Sequence, residues 1–251
     1  MSNKTCYVLY ASPTGSTKTL ALAAARSLQA EIYDLAGGVC PREFKRGQAV
    51  LVAAPVFGGR IPQYVLDVLA ELKGNGAAAA ALVTYGNRLY EDALLELGDA
   101  LSAAGFCLLG GAAFVTRHSI VPAIASGRPN QQDVAQASRF AQDLCEKAEK
   151  GDLTCPPLPG NRPYRKRSAG ALHPVLTGTC EGCGICSRNC PTGAISKEDP
   201  ALVDPEKCVG CMACVANCPQ KARALTPEDF SAMAVKLCRL CADERSNEIF
   251  L

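Results

Sequence analysis

The chain has 251 residues, 48% hydrophobic and 6% aromatic, with a formal net charge of +2. That much apolar material excludes disorder for most of the chain, and the near-neutral balance argues against general nucleic-acid binding. The longest apolar runs, residues 48–57 and 77–83, are too short to span a bilayer. No secretory leader is visible at the start, so a cytoplasmic protein is expected.

Strand and helix signals then alternate over residues 1–150. Short apolar strands are predicted at 6–10 and 31–35, and continuous apolar strands at 48–54, 77–84 and 106–115, as buried parallel strands require. Between them, helical patterns cover 20–28, 62–72 (Val65, Leu66, Leu69, Leu72), 91–104 and 133–150. The alternation predicts an α/β fold with a five-stranded, doubly wound parallel sheet, whose ligands bind at the carboxyl ends of the strands. The first such end reads Ser12-Pro13-Thr14-Gly15-Ser16-Thr17. Amides and hydroxyls around a helix N-terminus suit a phosphate, although an ordinary Ser/Thr-rich helix cap explains the same residues. Neither a Walker A spacing nor G-x-G-x-x-G is present.

The loop at 116–130 is long for its place and carries Arg117, His118 and Arg128. His118 is the candidate proton donor to a substrate or a reduced cofactor. The competing reading, which we prefer, is that the loop docks the C-terminal half, with His118 as a structural hydrogen-bond donor. Residues 151–170 form a semi-rigid linker with Pro156, Pro157, Pro159 and Pro163. Its Arg162, Arg165, Lys166 and Arg167 suit an acidic redox partner or a merely solvated stretch.

Ten of the 15 cysteines fall between Cys180 and Cys241. Cys180, Cys183, Cys186 and Cys190 follow C-x2-C-x2-C-x3-C and are closed by Pro191; Cys208, Cys211, Cys214 and Cys218 repeat the spacing and are closed by Pro219. Two zinc sites are the alternative to iron–sulfur ligation, but zinc sites seldom use this spacing. The tail, residues 227–251, begins with a predicted helix capped by Thr226, with Glu228 and Asp229 in its first turn. It also carries Cys238 and Cys241, read as packed or free thiols rather than ligands.

The repeated cysteine run resembles the bacterial two-cluster [4Fe–4S] ferredoxin module over residues 171–226. In that family the fourth cysteine of each run ligates the other cluster. The resemblance implies one cluster on Cys180, Cys183, Cys186 and Cys218, and a second on Cys208, Cys211, Cys214 and Cys190. Gly182, Gly184 and Gly210 would let amides approach the sulfurs.

Ser12-x-Thr14-Gly15-x-Thr17 is similar to the flavodoxin loop that holds the FMN phosphate, and that resemblance covers residues 4–150. It implies that Ser12, Thr14, Gly15, Ser16 and Thr17 hold the phosphate. Pro55, Val56, Phe57, Gly58 and Gly59 would flank the flavin ring on one side, and Tyr85, Gly86, Asn87 and Tyr90 on the other. Pro13 removes one amide. Phe57, Tyr85 and Tyr90 are the candidates for stacking on the ring, with Tyr90 preferred. Arg60 and Arg88 are either contacts to the flavin or surface charges.

Together the two halves resemble a family of prokaryotic flavodoxin–ferredoxin fusion proteins. That resemblance implies FMN, two [4Fe–4S] clusters and anaerobic electron transport, with a redox partner protein or a small-molecule acceptor or donor. A homodimer is compatible with it. Three functions follow as alternatives: an electron carrier, an FMN-dependent reductase of a small molecule wired through the ferredoxin part, and a cluster-binding scaffold with an empty flavodoxin-like domain.

Overall fold

The computed structural model describes residues 5–167 and 172–251. The end of the expected linker and the first position of the expected ferredoxin segment, residues 168–171, lie outside the described residues. The first half is built from β1 (Cys6–Tyr10), α1 (Ser16–Leu28), β2 (Glu31–Asp34), β3 (Ala49–Pro55), α2 (Gln63–Ala70), β4 (Ala78–Tyr85), α3 (Ala93–Ala103), β5 (Cys107–Val115) and α4 (Gln131–Glu149). Every strand and helix expected over residues 1–150 is present. Helix α1 starts at Ser16, ahead of the apolar periodicity on which its expected start at residue 20 rested.

The sheet order is β2-β1-β3-β4-β5, all parallel. This is the doubly wound order in which the strand sequence reverses between β1 and β3, so a crevice opens at their carboxyl ends. One face buries Leu9, Val50, Val52, Val83 and Val115 with residues of α2 and α3. The other buries Val8, Leu51, Leu82 and Phe114 with residues of α1 and α4. Helices therefore cover both faces, and this is why β3 and β4 are buried along their whole length.

The second half contributes β6 (Val175–Leu176), α5 (Ile185–Arg188), α6 (Ala213–Ala216), β7 (Arg223–Ala224), α7 (Pro227–Leu240) and β8 (Glu248–Phe250). Strands β6 and β7 form an antiparallel ribbon under the cysteine repeat. Thr226 Oγ1 accepts from Asp229 N at 3.1 Å, which is the expected cap of α7.

The tail does not end as a helix. Strand β8 joins the first sheet as a sixth, antiparallel strand on the free edge of β5, with Ala112 opposite Ile249. Gly110 permits this, because a Cβ there would stand 2.3 Å from Phe250 O. Asn247 fixes the junction. Its Oδ1 accepts from Val115 N and from Arg128 Nη2, both at 2.9 Å, and its Nδ2 donates to Asp133 Oδ1 at 2.8 Å. Asn247→Ala leaves Val115 N without its partner and removes one bond each from Arg128 and Asp133, which still bond each other, so we expect a loss of about 2 kcal/mol. It should be read as a lower urea midpoint at unchanged slope, followed by far-ultraviolet circular dichroism.

Candidate cofactor sites

The cysteine repeat folds into two similar halves. Helices α5 and α6 each start from a left-handed cap residue, Gly184 at φ 67° and Met212 at φ 62°. Cys180, Cys183, Cys186 and Cys218 border one hollow. Cys190, Cys208, Cys211 and Cys214 border another. The chain thus brings the fourth cysteine of each run to the other run's first three.

Amides are aimed at the sulfurs in the same way in both halves. Ala194 N donates to Cys190 Sγ and Ala222 N to Cys218 Sγ, both at 3.3 Å, and Gly182 N approaches Cys180 Sγ at 3.5 Å. Such donors stabilise thiolate and bound sulfide. Burial pushes the Cys211 thiol up to about 12 and Cys214 to about 11. These thiols would not ionise near neutral pH without a metal to take up the charge. Among the described residues, no three His, Cys, Asp or Glu side chains converge on a single metal ion. The donor set of four sulfurs around each hollow, with amides behind them, fits a multi-iron cluster.

At the carboxyl ends of the strands, Gly15 caps α1 at φ 95° and no side chain caps the helix from that position. Ser12 Oγ instead accepts from Lys18 N at 2.9 Å. Thr17 is buried, and its Oγ1 lies 2.7 Å from Thr84 Oγ1, tying the loop to β4. Among the described residues, no hydrogen bond engages the hydroxyls of Thr14 or Ser16. A helix start whose cap residue is glycine, beside two hydroxyls without hydrogen bonds among the described residues, suits a phosphate.

Pro55, Val56, Phe57, Gly58 and Gly59 lead into a two-residue turn closed by Phe57 N→Arg60 O at 3.0 Å and Arg60 N→Phe57 O at 3.2 Å. Gly58 and Gly59 both have positive φ, 59° and 81°, as such a turn demands. Val56 and Phe57 stay half-buried.

The loop after β4 has a different use from the one the flavodoxin resemblance implies. Asn87 is buried, and its Nδ2 donates to Cys241 O and Asp243 O, both at 3.0 Å, while its Oδ1 accepts from Arg245 N at 3.1 Å. Tyr90 donates to Glu248 at 2.9 Å, and its ring stands edge-on to Tyr85 at 5.3 Å. Both tyrosines are buried. Asn87 and Tyr90 therefore hold the C-terminal tail and Tyr85 packs on Tyr90, which leaves the half-buried Phe57 as the one stacking candidate without such a contact among the described residues. Gly86 accepts the Cys241 thiol at 3.7 Å and packs on His118, where a Cβ would fall 2.5 Å from the ring. Cys241 is buried against Gly86, whereas Cys238, three residues earlier, is exposed.

His118 is not placed as a proton donor. Its Nδ1 accepts from Ile120 N at 3.1 Å and Val121 N at 3.4 Å, and burial holds its pKa at about 4. The ring is neutral at pH 7 and organises the loop, whose Val121 and Ile124 pack on Leu237 and Cys241. The loop does dock the C-terminal half, but through α7, and with His118 as an acceptor rather than a donor at Nδ1.

The arginines are also committed. Arg60 clamps the buried Glu96 through Nε at 2.8 Å and Nη2 at 2.5 Å, and its guanidinium lies 4.7 Å from the centre of the Tyr164 ring. Arg88 pairs with Glu91 at 2.8 Å. The basic linker lies along α3: Arg165 N and Asn161 N donate to Asp92 at 2.7 and 2.9 Å, Arg162 and Tyr164 bond Asp99, and Arg167 reaches Glu96 at 2.7 Å. Its charges are turned toward its own domain.

The cysteine module rests on the crevice. Asn217 Nδ2 donates to Pro13 O at 3.3 Å. Tyr64, at the start of α2, has a buried hydroxyl without a partner among the described residues. Burial and the nearby Cys211 push that hydroxyl upward.

Residues 179–222 match the family model described as 4Fe-4S dicluster domain. The sheet order β2-β1-β3-β4-β5 is the flavodoxin-like one, and the matched segment is of the 4Fe-4S dicluster type. Among solved structures, a flavodoxin from the domain Archaea is 18% identical, with 58% of this chain and 99% of that one covered at a TM-score of 0.45. Oxidised flavodoxin 2 from Bacillus cereus is 18% identical over 57% and 99% at 0.44. A mutant flavodoxin from Fusobacterium nucleatum bound to flavin mononucleotide is 15% identical over 59% and 96% at 0.41. No curated protein matches. Among the described residues, no helix is long and apolar enough to cross a membrane. The 4Fe-4S dicluster match supports electron transfer in general.

The neutral His118 predicts a pH dependence. Unfolded, it takes up a proton below about 6.5; folded, it resists until about 4. Its contribution is complete above about 6.5 and falls away as pH drops toward about 4, by on the order of 3 kcal/mol in all. His118→Asn should flatten the stability slope across that window in urea titrations, measured against the native chain.

Proposed function

We propose that the protein is an electron carrier passing single electrons between two [4Fe–4S] clusters and one FMN. The observation that carries this reading is the grouping of the cysteines around two hollows, with one group set against the crevice of the parallel sheet. FMN exchanges one or two electrons and each cluster exchanges one, so the clusters can fill or empty the flavin stepwise.

The residues supply binding, order and insulation. Thr14, Gly15, Ser16 and the α1 amides would hold the phosphate, with Ser12 and Thr17 bracing the loop. Phe57 and the Gly58-Gly59 turn would flank the ring. Cys190, Cys208, Cys211 and Cys214 would hold the inner cluster, on the side of Tyr64. Cys180, Cys183, Cys186 and Cys218 would hold the outer one. Cys180 and Cys183 of the outer group are exposed, whereas none of the inner four is, which supports entry of electrons from a redox partner at the outer group. Solvent exclusion around the inner group favours transfer over leakage.

A reductase acting on a small molecule is the second reading. It receives less support, because the tail covers Gly86 and Asn87 and Asn217 sits on Pro13, so two flanks of the crevice are already taken.

Anaerobically purified protein should carry one FMN and about eight irons per chain. Protein with iron but no flavin would leave only a cluster-binding scaffold. Thr14→Val with Ser16→Ala should weaken FMN at least tenfold, about 1.4 kcal/mol, in fluorescence titration. Cys190→Ala with Cys208→Ala should keep half the iron, whereas Cys190→Ala with Cys183→Ala should lose it all. The reverse pattern would mean that the fourth cysteines are not exchanged.

A further inference from the structure

The two halves of the repeat differ at one buried position. The fifth residue after Cys190 is Ile195, and the fifth after Cys218 is Arg223. Both are buried, Ile195 to 5% exposure and Arg223 to 2%. Ile195 packs with Cys186 and Cys214 in the small apolar core of the module. An arginine in the matching place brings a permanent charge into that core.

Arg223 is only partly satisfied. On β7 it stands opposite Leu176, and its Nη1 donates to Pro174 O at 3.1 Å. Its Nε and Nη2 have no hydrogen-bond partner, and no carboxylate pairs with it among the described residues. Its side chain borders the hollow of Cys180, Cys183, Cys186 and Cys218. Pro174, which it bonds, borders the hollow of the other four cysteines. The guanidinium therefore lies between the two groups.

A buried guanidinium without an anion is strongly unfavourable. The described residues offer it none, whereas two anionic clusters would. We propose that Arg223 is the internal counter-cation of both clusters: its free Nε–H and Nη2–H groups donate to cluster sulfur, and its charge holds both reduction potentials above those a neutral side chain would give. When a cluster gains one electron, the fixed positive charge offsets the added negative charge and no proton need be taken up. Charge and hydrogen bonds near the sulfurs are established determinants of cluster potential.

This rests on the two-cluster reading, so the iron content of the native chain is measured first; a native chain without iron defeats that reading rather than the role of Arg223. The test is an anaerobic redox titration of the full chain, followed by electron paramagnetic resonance, for native protein, Arg223→Gln and Arg223→Lys. Gln can keep the bond to Pro174 O but has no charge; Lys keeps the charge without the planar fork. For Arg223→Gln we expect both clusters to become at least tenfold harder to reduce, ~59 mV for a one-electron couple. For Arg223→Lys we expect values within threefold of native. Gln close to native, or Lys falling as far as Gln, overturns the proposal. If Arg223→Gln does not retain clusters, the same comparison is read in iron content: iron kept by Lys supports the counter-cation, and equal loss in Lys and Gln overturns it.

Discussion

Asn87 bonds three backbone groups of a segment that begins 154 residues further along the chain, and Asn247 then locks that segment to the edge of β5. Both are amides, able to donate and accept at once, and both sit where a strand end would otherwise leave polar groups unpaired. The arrangement of the second half depends on this pair. With the tail fixed at one side and residues 161–167 fixed to Asp92, Glu96 and Asp99 at the other, the cysteine module is attached on both flanks. Its contact with Pro13 is therefore a consequence of two anchors rather than a lone surface encounter.

The same anchors engage the side chains of several residues at the crevice. Tyr90 and Asn87 lie at a strand end where ligands bind in this sheet order, yet their polar atoms belong to the tail. Arg60 and Arg88 sit equally close in sequence to the crevice, but buried Glu96 and Glu91 draw them away. What remains open is narrower: the hydroxyls of Thr14 and Ser16, the turn at Gly58 and Gly59, and Phe57.

Much of this was legible in the sequence, where the signal was local or repeated. Apolar runs gave the parallel strands, and the cysteine spacing gave the dicluster module. The cap at Thr226 was readable from three residues. The tail strand was not, because three residues carry no periodicity and its partner β5 lies far upstream. The fate of Asn87 and Tyr90 depended on that same strand, so local resemblance assigned them to a ligand. His118 looked like a proton donor by residue type alone; only its neighbours' amides reveal the acceptor. Arg223 was visible as the exception to the repeat, but an exception has no meaning until its burial and missing anion are known.

The sixth strand also imposes an order of assembly. Until residues 248–250 are made and docked, β5 presents an unpaired apolar edge, the kind of surface on which other chains add strands. That edge must wait while the whole cysteine module is synthesised. The edge of β5 at Gly111, Ala112 and Ala113 is therefore covered only in molecules whose cysteine module has been fully translated.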